Sequence, residues 1–202
     1  MIIGLSGGSG SGKTSFINEL RKSFNTNELG LISEDNYFKE IELQHVDQNG
    51  VVNFDIPEAI DHESLLKDLN RLLQNLPVSR LEYVFNNNSK ERNEIRIEPA
   101  KIYILEGIFI FHNREIFDLL DLKVLIHAKD QLKIDRRIKR DQIERNYPID
   151  DVLYRYKHHV MPAYKNYIQP YFDDMDIIVN NNAHFNRALD LFKSYLKDQI
   201  RS

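Results

Sequence analysis

The sequence predicts an α/β fold in which a parallel β-sheet is flanked by helices, with an inserted β-hairpin and a helical, arginine-bearing lid. Three observations carry that prediction. Short apolar runs alternate with amphipathic segments along the chain. A glycine-rich turn separates the first apolar run from the first helical pattern. Between Pro77 and Pro99 two β-like stretches interrupt the alternation.

Taken in order, Ile2 to Ser6, Leu29 to Ser33, Ile102 to Leu105, Val124 to His127 and Ile177 to Val179 read as strands buried on both faces. After Pro57, the residues Leu65, Leu66, Leu69, Leu72, Leu73 and Leu76 recur at helical spacing, which predicts one helix with an inward stripe. The stretch 77–99 reads as a hairpin turning at Asn86, Asn87, Asn88 and Ser89, placed where it would cover a ligand. A second helix is expected from about Asp130, a fitting N-cap, with Pro148 beyond its end. It carries Lys133, Arg136, Arg137, Lys139 and Arg140, and 130–148 forms the candidate lid region. The asparagines at 180–182 read as a loop.

The 202 residues fit one domain, 1–202, large enough to bury a core. A formal charge of −4 offers no broad positive surface, so nucleic acid is not expected as a partner. The absence of cysteine excludes disulfides, thiolate chemistry and cysteine-based zinc sites, and the histidines show no metal-ligand spacing. No run approaches the ~18 apolar residues of a membrane span. Gly7 and Gly8 follow Met1 too closely for a secretory signal. No membrane partner and a cytoplasmic location are the expectations.

Gly7-Gly8-Ser9-Gly10-Ser11-Gly12-Lys13-Thr14 satisfies the Walker A pattern, between a strand and a helix expected over Ser15 to Lys22. That order predicts the P-loop NTPase fold, with ATP and Mg2+ as its ligands. Glycines let successive amide N–H groups turn inward onto phosphate oxygens, and the helix N-terminus adds a favourable potential. Lys13 is expected on the β- and γ-phosphates and the Thr14 hydroxyl on the magnesium ion.

Phosphoryl transfer also needs a group to take the proton of the nucleophile and cations around the transferred phosphoryl. Asp35 lies just past the second strand, where open α/β sheets place their ligands, and is the candidate base. Glu106 ends the third apolar run, so its carboxylate can hold magnesium, through water, or orient Asp35. Arg136, Arg137 and Arg140 can close over a triphosphate, with Arg145 near the far end of the lid. Equally, they can form a solvated face paired with Asp135 and Asp141.

The chain resembles the uridine kinase (uridine-cytidine kinase) family along nearly its full length. The resemblance is carried in order by 7–15, ending at Ser15, then Asp35-Asn36-Tyr37-Phe38 and Val52-Asn53-Phe54-Asp55-Ile56-Pro57. It continues through Tyr83-Val84-Phe85, Leu105-Glu106-Gly107-Ile108, Arg136-Arg137-Ile138-Lys139-Arg140-Asp141 and Asp176-Ile177-Ile178-Val179. It implies an ATP-dependent kinase acting on the 5′-hydroxyl of a nucleoside, uridine or cytidine foremost, with Asp35, Lys13, Glu106 and Arg140 as catalytic groups. The run 7–15 and Arg145 would hold ATP. Asp55 would bind the ribose hydroxyls, while Phe54, Tyr83 and Phe85, with Phe38 nearby, would enclose sugar and base. Arg137 would lie over the phosphates. Family members often assemble, which leaves a homo-oligomer open.

The chain departs from the family pattern at the groups that would read the base. Asn88 stands where a histidine is usual, and Val84 where an acidic residue is. The lid's usual Glu-Arg-Gly-Arg reads Glu144-Arg145-Asn146-Tyr147, and Arg155 stands where a glutamine is expected. A related P-loop kinase for nicotinamide riboside, pantothenate or a sugar phosphate therefore remains an alternative acceptor reading. A nucleotide-hydrolysing switch fits less well, for the chain has no Asn-Lys-x-Asp motif.

Overall fold

A computed structural model describes residues 1–85, 92–144 and 146–201. Along the chain the strands are β1 (Ile2–Ser6), β2 (Leu29–Ser33), β3 (His45–Val46), β4 (Val52–Asn53), β5 (Val78–Leu81), β6 (Glu94–Ile97), β7 (Ile102–Glu106), β8 (Leu122–His127) and β9 (Ile177–Asn180). The helices are α1 (Lys13–Arg21), α2 (His62–Leu73), α3 (Arg114–Asp118), α4 (Asp130–Glu144), α5 (Ile149–Arg155), α6 (Met161–Ala163) and α7 (Asn186–Arg201).

Five strands pair in parallel in the order β2-β7-β1-β8-β9. Their side chains alternate between two cores, which is why each reads as an unbroken apolar run. On one face Ile2, Ile32, Tyr103, Leu105 and Leu125 pack with Leu65, Leu69 and Leu72 of α2. On the other, Ile3, Leu5, Ile102, Ile104 and Val124 pack with Phe16 and Leu20 of α1 and with Phe192 and Leu196 of α7. Each buried leucine contributes about 2 kcal/mol.

The chain leaves β1 toward β2 on one side and crosses from β7 to β8 on the other. The strand order therefore reverses around β1, and the crevice at the carboxyl ends of β1, β7 and β8 is the natural ligand position.

The expected leucine stripe ends early. Asp61 caps α2 by accepting from the Ser64 amide, but at the other end Asn75 turns left-handed at φ 58°. Its amide reaches the Leu72 carbonyl and that of Leu76 reaches Arg71, closing a Schellman motif. Leu73 and Leu76 are consequently exposed, at 44% and 42%, and take no part in the core.

Short pairings stand outside the sheet. β3 and β4 form a two-residue antiparallel ribbon, and β5 and β6 form the hairpin expected within 77–99, although its tip at Asn86–Ser89 lies outside the described residues. α5 runs without a break through a π-helical turn (Tyr156–Val160), α6 and a second π-helical turn (Tyr164–Ile168). Among the described residues no helix is long and apolar enough to cross a membrane.

Candidate active site

Residues 7–14 bridge β1 and α1. Gly10 adopts φ 81°, and a Cβ there would collide with the main chain of Lys133 in α4, so only glycine fits the turn and the close approach together. α1 begins at Lys13 behind the left-handed Gly12, with no side chain capping it and no acidic residue in its first turn. Its amide donors and positive dipole end thus meet the cleft without an intramolecular counter-anion. Lys13 donates to the Gly7 carbonyl at 2.7 Å. Burial lowers its pKa, opposed by Glu106 and Asp35, while Arg140 adds to the lowering. An uncapped helix end beside a buried lysine fits a polyphosphate. Thr14 and Ser15 are exposed on the same cleft, and Gly8 and Ser9 back onto a cavity of only about 10 Å3.

The two carboxylates come from neighbouring strand ends. Ser33 and Glu106 are in register across β2 and β7, and the Ser33 hydroxyl donates to Glu106 Oε1 at 2.6 Å. Burial pushes the Glu106 carboxyl up to about 7, the charge of Asp35 pushes the same way, and Lys13 opposes both. Asp35 faces the same cleft from the 3-10 turn Glu34–Tyr37 that follows β2.

That turn is seated by a residue the sequence analysis passed over. Glu34 is 1% exposed and accepts the Phe109 amide at 2.8 Å. Its carboxylate lies so close to Gly107 that a Cβ there would strike it. A glutamate beside Asp35 and a glycine beside Glu106, both at strand ends, were the available signal.

The arginine helix is docked, and the solvated-face alternative does not describe it. Lys133 and Arg137 are 3% and 7% exposed. Arg136 reaches the Gly10 and Ser11 carbonyls at 3.5 and 3.4 Å and the Asn181 carbonyl at 3.1 Å. Asn181 in turn donates to the Ser11 carbonyl at 2.8 Å. Arg136, expected over a triphosphate, thus binds the loop's own carbonyls, and the loop reading of 180–182 gave no hint of the Asn181 contact. Arg137 donates to Ser9 Oγ at 2.9 Å, lies 3.9 Å from Asp55 and 3.1 Å from Asp141. Arg140 pairs with Asp141 at 2.8 Å and lines the cleft. Arg145 and Asn88 lie outside the described residues.

A cleft of about 570 Å3 runs from this loop to Asp55, Phe38, Phe54 and Phe85. Phe38, Phe54, Tyr83 and Phe85 come from three separate segments and meet with ring centroids 4.9 to 6.3 Å apart, mostly edge to face. Asn36 joins two of those segments by accepting the Tyr83 amide at 3.2 Å. A second cleft of about 340 Å3 opens beyond Phe54, and Phe54, Tyr147 and Arg155 line both.

Phe54 and Asp55 follow the β3–β4 ribbon, which is fastened to the helix after the lid. Asp47 accepts the Asn49 and Val51 amides at 2.9 Å each, the Tyr154 hydroxyl at 2.7 Å and His159 Nε2 at 2.8 Å. Burial works against the Asp47 charge, but the Val51 amide, the Tyr154 hydroxyl and His159 outweigh it and hold the carboxyl well below the usual range. Arg155 Nη1 adds a bond to the Val52 carbonyl at 2.7 Å. More than a hundred residues separate Asp47 from Tyr154 and His159, and Val52 from Arg155, and nothing local in the sequence marks them.

The chain is similar to known proteins. A model of the phosphoribulokinase / uridine kinase family matches residues 2–186. The uridine kinase of Lactobacillus helveticus is 34% identical over 201 residues, covering 99% of this chain and 95% of that protein. The uridine kinase of Borrelia duttonii is 34% identical over 203 residues, covering 99% and 96%. Among solved structures, phosphoribulokinase from Rhodobacter spheroides superposes with a TM-score of 0.61 at 20% identity, covering 89% of this chain and 69% of that one. A possible uridine kinase from Bacillus stearothermophilus gives a TM-score of 0.61 at 16% identity, covering 88% and 87%. The structural likenesses speak for the fold; the agreement in sequence reaches further, and on it the chain belongs to the phosphoribulokinase / uridine kinase family.

Proposed function

We propose that the protein is an ATP-dependent nucleoside kinase that phosphorylates the 5′-hydroxyl of uridine or cytidine. One observation carries the reading: Asp35 faces a single cleft together with Lys13 and the uncapped end of α1, and that cleft ends at Phe38, Phe54 and Phe85, which pack with Tyr83. The relatives named uridine kinase over nearly the whole chain support it.

Asp35 takes the proton of the acceptor hydroxyl as its oxygen attacks. Lys13 and the α1 amides steady the donor phosphates, and Arg140, with Arg137 behind Ser9, offsets the charge that develops on the transferred group. Asp55, whose carboxylate lies near the Arg137 guanidinium, accepts from the ribose hydroxyls. Thr14 and Glu106 are the oxygen ligands suited to magnesium, which would supply charge neutralisation between the phosphates. The docked α4 and the aromatic cluster exclude water from the transfer.

A second acceptor reading is favoured by one observation: Tyr147 and Arg155, where the resemblance implies an arginine and a glutamine, line the far end of the cleft. A related acceptor such as nicotinamide riboside, pantothenate or a sugar phosphate would meet those groups. Phosphate transfer from labelled ATP across a panel of nucleosides and these compounds tests both. Uridine or cytidine is expected to exceed every other acceptor in kcat/KM by about tenfold or more. Turnover of another member of the panel in preference to both nucleosides would overturn the reading.

A further inference from the structure

We propose that Tyr37 is a positioning residue for Asp35, holding the turn that carries this carboxylate through a bond to Asp68 and a stack under Arg80. The inference rests on Asp35 as the general base and adds to the proposed function the group that sets its place.

Among the described residues none donates a hydrogen bond to the Asp35 carboxylate, so the 3-10 turn Glu34–Tyr37 decides where it stands. Before Asp35 the turn is seated by Glu34 on the Phe109 amide, and after it Asn36 accepts the Tyr83 amide at 3.2 Å. The deepest anchor is Tyr37, which is 1% exposed and bound in three ways. Its carbonyl accepts the Asp61 amide at 2.8 Å, its hydroxyl donates to Asp68 Oδ2 at 3.0 Å, and the Arg80 guanidinium carbon lies 3.8 Å from its ring centroid. Arg80 Nη1 donates to the same Asp68 oxygen at 3.0 Å. A triangle of phenol, carboxylate and guanidinium thus joins the turn to α2 and β5.

Packing alone does not account for the hydroxyl. Tyr37 lies in the core with Ile60, Leu65 and Leu69, where phenylalanine would fill the ring's place and bury no polar atom. Burial and the Asp68 charge push the phenol far above its usual range, so it stays a donor to that carboxylate at any working pH. A hydrogen bond to a charged acceptor is directional, and it holds the ring against the sliding that apolar contacts permit. A general base works only within hydrogen-bond reach of the proton it takes, so a displacement of about 1 Å slows transfer steeply.

The test measures steady-state phosphate transfer, with the acceptor the wild type uses best, in Tyr37→Phe and Arg80→Ala, each alone and combined with Asp35→Asn. Tyr37→Phe is expected to lower kcat about tenfold while acceptor KM and nucleotide affinity stay within about twofold. Arg80→Ala leaves the core residue in place and lowers kcat about threefold. In the Asp35→Asn background neither substitution makes a further difference, since the group they place is gone. A residue that only packed would cost the same factor in both backgrounds, and that result overturns the inference. So does an unchanged kcat in Tyr37→Phe. If Tyr37→Phe loses its fold, shown by loss of nucleotide binding, the same comparison made with Arg80→Ala decides. An Asp35→Asn protein as active as the wild type overturns the role of Asp35 and this inference with it. Preference of the wild type for another acceptor overturns the nucleoside reading alone.

Discussion

Around residues 7–14, Arg136 and Asn181 grip the carbonyls of Gly10 and Ser11, and the Lys13 ammonium turns back onto Gly7. Around Phe38, Phe54, Tyr83 and Phe85, at the other end of the same cleft, the rings hold one another edge to face, and the ribbon that delivers Phe54 is fastened mainly through Asp47. Hydrogen bonds to charged groups are directional and fix position to fractions of an ångström. Aromatic pairs, worth about 1 kcal/mol each, tolerate sliding. On the proposed function the contrast follows from the ligands: a polyphosphate presents the same oxygens whatever the nucleotide, so the half proposed to hold it meets a constant shape, and the half proposed for the acceptor meets one that changes.

If the halves are separable in this way, Asp35→Asn lowers turnover by about a thousandfold while nucleotide affinity stays within about twofold, because the lost group serves only the acceptor hydroxyl. Lys13→Ala by contrast weakens nucleotide binding as well as turnover, by about a hundredfold. Calorimetry with a non-hydrolysable ATP analogue beside steady-state kinetics separates them. Loss of nucleotide binding in the aspartate variant would break the comparison.

A smaller effect distinguishes stability from chemistry at the floor of the cleft. The Glu106 carboxyl titrates near 4.5 when unfolded and at about 7 in the fold, so folding favours its protonated form. Its stability contribution is therefore full below about 4.5 and declines as pH rises through 7. Glu106→Gln should raise the melting temperature of the nucleotide-free protein at pH 8 by about 4 °C, roughly 1–2 kcal/mol, with little change at pH 4.5. Activity falls in the same variant. A melting temperature unchanged at pH 8 would show the carboxylate to be fully compensated where it stands.

The smallest effect belongs to the ribbon. Asp47→Asn removes a charge that accepts from Tyr154 and His159, and should raise acceptor KM about fivefold while kcat and nucleotide KM hold nearly constant. A fall in kcat without a change in KM would instead tie the ribbon to the transfer step.

How much of this was legible in the sequence divides along the same line. The phosphate loop is contiguous, and strands buried on both faces announce themselves as apolar runs, so the sheet and the positions of Lys13, Asp35 and Glu106 could be read directly. The early end of α2 was not, because a left-handed asparagine at 75 outweighs a periodicity that continues through Leu76. Asp47 and His159, or Asn181 and Ser11, are partners only because the chain folds back over more than a hundred residues, and no local pattern encodes such a meeting. Glu34 lay in plain view beside Asp35; what hid its role is that its partner is a backbone amide at Phe109.

The close approach of Gly10 to α4 has one more effect. There the two peptide backbones touch with no side chain between them. Trimming every residue of α4 to alanine, one by one, would leave that contact in place and report it as unimportant. The same truncation logic run in reverse, adding a single methyl group at position 10, would wedge the helix away from the loop. Side-chain truncation in α4 therefore registers the bonds of Arg136 and Arg137 to the loop but not this backbone contact, which an added methyl group at position 10 alone exposes.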